Sequence, residues 1–131
     1  MTPDQANSFK HFSSLNDKNI DFEKCTFEFI KLLDDIREDA GVPIIVTRTY
    51  STPEHSVAVG GFATDEHTFI PTEVADILCK RPAGTWDSHK AYLYVKSALK
   101  LGMQRIGINF KNKSIHFGMN KNFQQEVLFI E

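Results

Sequence analysis

The stretch QRIGINFKNKSIHFGM, residues 104–119, decides how the chain is read. Two short apolar runs flank the polar tight turn Lys111-Asn112-Lys113, so the segment is expected to form two neighbouring strands. In the second run, strand alternation sends Ile115 and Phe117 to one face and His116 to the other. A sheet with one apolar face needs a covering layer, and the flanking sequence supplies helices for it. Residues 88–102, SHKAYLYVKSALKLG, read as a helix begun by Asp87 or Ser88 and stopped by Gly102. Residues 20–41, IDFEKCTFEFIKLLDDIREDAG, read as another, capped by Asp21. There Phe22, Cys25, Phe29, Leu32, Leu33 and Ile36 recur at helical spacing, Gly41 ends the run and Pro43 prevents its continuation.

Between these helices, PIIVTRTY (43–50) is expected as a buried strand and STPEHSVAVGG (51–61) as a short helix capped by Thr52. EVADILC (73–79) and EVLFIE (126–131) read as further strands. The order points to an α+β fold: one domain over residues 1–131, with a small antiparallel sheet and helices packed on one face.

A length of 131 residues, 41% apolar and 24% charged, is ordinary for a single globular domain. The net charge of −2, with no basic run, gives no reason to expect nucleic acid as a partner. No apolar run is long enough to span a membrane, and the polar start MTPDQANSFKHFSSLND lacks the apolar region of a secretory signal. Cys25 and Cys79 each lie in an apolar pattern and are expected to be buried free thiols. With 11 Phe against 3 Tyr and 1 Trp, the core should be rich in phenylalanine.

The chemistry concentrates in TDEHTFIPTEVADILC, residues 64–79. Asp76 interrupts an apolar strand with Ala75 and Ile77 on the opposite face, the same setting as His116. Two polar groups in apolar strands need partners, because a buried unpaired charge costs several kcal/mol. A simple Asp76–His116 hydrogen bond would suffice. A divalent metal held by His67, Asp76 and His116 would satisfy both groups and leave a fourth tetrahedral position open, as in catalytic zinc sites. His11 and His89 lie in polar surroundings, and His55 belongs to a short surface helix.

FEFIKLLDDIREDAGVPIIVTRTYSTPEHSVAVGG and RIGINFKNKSIHFG…QQEVLFIE together resemble the zinc D-alanyl-D-alanine carboxypeptidase and L-alanyl-D-glutamate endopeptidase family, which shares the Hedgehog fold. The likeness covers roughly residues 9–131 and is greatest to the branch with phage and prophage cell-wall peptidases. It implies one zinc ion on His67, Asp76 and His116, and hydrolysis of peptide bonds in peptidoglycan stem peptides. It implies a protein made in the bacterial cytoplasm or carried by a phage and acting at the cell wall; a monomer with no nucleic-acid or membrane partner is expected. Asp76 follows His67 by nine positions, two more than in typical members, which places an insertion around Phe69 to Pro71. The family's substrate-binding serine and arginine fall on Asp65 and Ser51, with Arg48 an offset substitute and Tyr50 a possible cleft wall. The acids that serve as general base fall on Lys113 or Gly118, leaving Glu66, Asp65 and Glu73 as candidates. These departures define an alternative, a weak or inactive member that binds metal or cell-wall fragments.

Overall fold

The computed structural model describes residues 1–131. In chain order the elements are α1 (Pro3–Ala6), α2 (Phe27–Ala40), β1 (Val46–Arg48), α3 (Pro53–Ala58), a 3₁₀ turn (Glu66–Thr68), β2 (Val74–Leu78), α4 (Ser88–Leu101), β3 (Arg105–Asn109), β4 (Ser114–Gly118) and β5 (Val127–Ile130). The strands form one sheet in the order β1-β2-β4-β3-β5, so the fold is α+β as expected.

The 104–119 hairpin forms, with Gly107 opposite His116. β2 adds antiparallel to the other edge of β4, which sets Asp76 opposite His116. Alternation then sorts the two faces. Ala75, Ile77, Ile106, Ile115 and Phe117 point into the core, where they meet Phe29, Ile30, Leu33 and Ile36 of α2 and Ala91, Tyr94 and Ala98 of α4. Burying each larger side chain stabilises the fold by about 1.5–3 kcal/mol. The buried Tyr94 hydroxyl donates to the Pro43 carbonyl. The opposite face carries Asp76 and His116 and is flanked by α3 and the 3₁₀ turn rather than by the long helices.

Three expectations need correction. The first long helix begins at Phe27 with Thr26 as its cap, not at Asp21. Residues 24–26 are diverted into backbone pairing with Thr72, whose N–H donates to Lys24 O at 2.9 Å and whose carbonyl accepts from Thr26 N at 3.1 Å. The strand expected over 43–50 is only Val46–Arg48. Its register shifts between these residues, with Val46 opposite Ile77 and Arg48 opposite Asp76. Such a bulge re-aims side chains, so Val46 enters the core while Arg48 joins the polar face.

The sheet is also mixed rather than antiparallel, because β5 runs parallel to β3. β4 ends at Gly118 opposite Arg105, the start of β3, and β5 begins at Val127 beside that same Arg105. The connection over 119–126 therefore stays at one end of the sheet, and the chain can only re-enter along β3 in β3's own direction.

Cys25 and Cys79 are both free and buried, as expected. Burial pushes the Cys25 thiol up to about 12 and the Cys79 thiol up to about 11. Neither should react with a thiol-selective reagent at neutral pH until the chain unfolds, whereas both should react in denaturant; a colorimetric thiol count checks this. No helix is long and apolar enough to cross a membrane.

Candidate metal centre

His67 sits in the 3₁₀ turn, where Asp65 caps the turn by accepting from His67 N at 3.0 Å. The turn folds back over the sheet, so His67 is 1% exposed and not a loop residue in solvent. Its Nδ1–H donates to the Thr49 carbonyl at 2.5 Å, which fixes the proton on that nitrogen. Nε2 is left buried with no hydrogen-bond partner, 3.2 Å from Asp76 Oδ1.

His116 is arranged in the same way from the other side. Its Nε2–H donates to Glu66 Oε1 at 2.8 Å, so Nδ1 is the free nitrogen, 3.3 Å from Asp76 Oδ1. The two rings meet edge to face, their centroids 5.3 Å apart. One ligand atom each from His67, Asp76 and His116 thus lies within 4.8 Å of the others. Two imidazole lone pairs and a carboxylate oxygen facing one point repel unless a cation sits among them. The donor set therefore fits a divalent metal, with an outer carboxylate behind one histidine and a backbone carbonyl behind the other, as metal sites are commonly braced. Without metal a proton takes this role. Burial opposes the charge on His116, but Asp76 and Glu66 outweigh it and push its pKa up to about 9. Burial likewise opposes the Asp76 charge, yet the two imidazoles hold its carboxyl far below the usual range.

The formal charges agree with this. Asp65, Glu66, Asp76 and Glu131 surround the site, against the guanidiniums of Arg48 and Arg105. The excess of two negative charges matches one divalent cation. The segment Phe69 to Pro71 leaves His67 and Asp76 together, because it bulges outward with Ile70 61% exposed.

The three ligands form the floor of a cavity of about 690 Å³, which Arg48, Asp65, His55 and Glu131 also line. On its rim Val59 and Phe62 are exposed. Arg48, the offset substitute for the arginine expected at position 51, enters the site: Nε is 3.3 Å from Asp76 Oδ2 and Nη2 is 3.6 Å from Asp65 Oδ2. Tyr50 and Ser51 line a neighbouring groove that shares Thr47, Arg48 and His55 with the cavity. Tyr50 is thus a wall of that groove and not of the metal cavity.

Of the carboxylates considered from sequence, Asp65 lines the cavity and caps the turn. Glu73 lies outside it, with its carboxyl raised first by burial and then by Glu28. Glu66, a candidate base from the sequence, is 3% exposed. It accepts from His116, from Arg105 Nε at 3.0 Å and from Asn120 N at 3.1 Å. Burial opposes its charge, but these donors prevail and hold its carboxyl below the ordinary range. A Cβ at Gly118 would stand 2.6 Å from Glu66 Cδ, so the Glu66 carboxylate fills the space that a side chain at 118 would occupy. Glu66 is an orienting group behind His116, not a base in the cavity.

Strand alternation alone did not reveal Arg105, Asn109 or Glu131, because their partners come from distant parts of the chain. No family model, curated protein or solved structure matches the chain.

Proposed function

We propose that the chain is a zinc-dependent peptidase that hydrolyses peptide bonds in peptidoglycan stem peptides. The observation that carries this reading is the convergence of His67 Nε2, Asp76 and His116 Nδ1 at the floor of an open cleft, with each outer imidazole nitrogen already bound to an acceptor. Two histidines and one carboxylate make a donor set suited to zinc with an open position. The likeness of the sequence to zinc peptidases of the cell wall supports the substrate class.

A bound zinc ion would polarise a substrate carbonyl and make water a better nucleophile. The chain's own residues do the rest. Thr49 O and Glu66 keep the two imidazoles in their ligating tautomers. Arg48, beside Asp76 at the cavity wall, offers a guanidinium to a substrate carbonyl or carboxylate. The exposed Val59 and Phe62 give the rim an apolar surface for the peptide. The second reading, a metal-holding binding module, draws on Gly118 and Lys113, which offer no acid where relatives place the base.

The test is metal analysis of the purified chain together with mass spectrometry of peptidoglycan digests. One zinc per chain and cleaved stem peptides are expected. Zinc with no cleavage would leave only the binding module, and no zinc would end both readings. Metal uptake should also release a proton, since His116 must deprotonate to bind. Apparent zinc affinity should therefore weaken as pH falls below about 9, the value to which His116 is raised. Titration calorimetry in buffers of different ionisation enthalpy measures that release.

A further inference from the structure

The geometry points to Glu131 as the catalytic carboxylate that accepts the proton of the attacking water. The assignment rests on the hydrolytic reading of the site, but not on the identity of the peptide. Glu131 follows β5 and shares the face of Phe129 two positions earlier. Phe129 sits beside the His116 ring, with centroids 5.6 Å apart, so that face is the one that bears the site. Gly107 makes room for Phe129: a Cβ there would come within 2.5 Å of its ring.

Two contacts aim the Glu131 carboxylate. Its backbone N–H donates to Ile108 O at 2.8 Å, and Asn109 Nδ2 donates to Oε2 at 3.2 Å. Oε1 is left pointing inward, 3.5 Å from His116 Nδ1, at the wall of the cavity. Glu131 is not one of the three residues whose ligand atoms converge. It stands next to the convergence point with Oε1 held only by the 3.5 Å contact to His116 Nδ1 and with its side chain 34% exposed, so water and substrate can reach it. Among the carboxylates near the site, Glu66 is fully engaged behind His116 and Asp65 caps the 3₁₀ turn and faces Arg48. Glu131 reaches the cavity with an oxygen whose one polar contact is His116 Nδ1, the nitrogen turned toward the point where the ligand atoms converge, whereas the outer oxygen of Asp65 faces a permanently charged guanidinium.

The step balances. The water oxygen bonds to the carbonyl carbon, the carbonyl π pair moves onto its oxygen, and one water proton passes to Glu131 Oε1. The C–N bond then breaks and its electron pair stays on nitrogen, which takes that proton from Glu131. The products are a carboxylic acid and an amine, and Glu131 is again ionised.

The test compares the zinc-loaded full chain with Glu131→Gln and Glu131→Ala, using p-nitrophenyl acetate as an ester that demands no peptide specificity. Glu131→Gln should keep one zinc per chain and lose about 10²-fold or more in kcat, within the range of general acid–base catalysis, with KM nearly unchanged. Formate should restore part of the Glu131→Ala rate. An unchanged rate, loss of zinc from Glu131→Gln, or no response of Glu131→Ala to formate would each overturn the assignment. Ester hydrolysis that depends on Glu131, with peptidoglycan left intact, would uphold Glu131 and reject the proposed substrate instead.

Discussion

Asp76→Ala is expected to reduce zinc to background and to destabilise the metal-free chain by about 3 kcal/mol. The carboxylate lies between His67 Nε2 at 3.2 Å, His116 Nδ1 at 3.3 Å and Arg48 Nε at 3.3 Å. Its removal leaves those groups facing one another, and breaking a buried ion pair from one side costs about 3–5 kcal/mol. The lower figure applies because a fifth of the Asp76 side chain remains exposed. The pH dependence follows from the sign of the shift. Asp76 is held below its unfolded value, so its contribution is present above about pH 4 and fades as the pH falls further. Urea unfolding of wild type and variant at neutral and acidic pH, with metal analysis alongside, measures both effects. Equal stability of the two proteins at pH 7 would contradict the arrangement described.

The second large effect belongs to Glu66. Glu66→Ala strands three donors at once, His116 Nε2, Arg105 Nε and Asn120 N, and leaves the Arg105 charge without its buried partner. A loss of about 3–5 kcal/mol is expected. Where the variant still folds, zinc affinity should fall about 10–100-fold, as when an outer hydrogen-bond partner of a metal ligand is deleted. Gly118→Ala probes the same contact without deleting the carboxylate. The added methyl would collide with Glu66 and drive its carboxylate off His116. It should therefore reproduce the affinity loss, whereas Glu66→Gln, which keeps the shape, should lose less than Glu66→Ala. Competition with a chromophoric chelator ranks the four proteins, and wild-type affinity in Gly118→Ala would show that the carboxylate does not depend on that space.

The layers of the fold and the placing of Asp76 and His116 were legible because both follow from local periodicity, whereas His67, in a 3₁₀ turn, was pointed to by the family resemblance. Alternation in VADIL and SIHFGM places Asp76 and His116 on the face opposite the apolar residues, and the sheet sets them side by side. What stayed hidden depends on contacts between distant segments. The burial of Glu66 needs the 3₁₀ turn to fold over Gly118, 52 positions later in the sequence. Arg48 reaches the site through a register shift in β1 that simple alternation would not place there. Glu131 reaches it because the connection over 119–126 forces β5 into parallel pairing, a matter of strand direction and not of composition. The early start expected for the first helix failed for a similar reason, since Thr72 claims the backbone at residues 24–26.

All five residues of β4 are buried, on a strand whose two faces have opposite chemistry. A slip of one position in its pairing would turn His116 toward Phe29 and Leu33 and bring Ile115 or Phe117 among carboxylates. The error would be penalised on both faces at once, by a polar ring in the oily layer and by an oily residue in the polar one. The pairing of β4 is therefore held to one register from both faces, and a divalent ion bound by His67, Asp76 and His116 would clamp β2 to β4 in that same alignment.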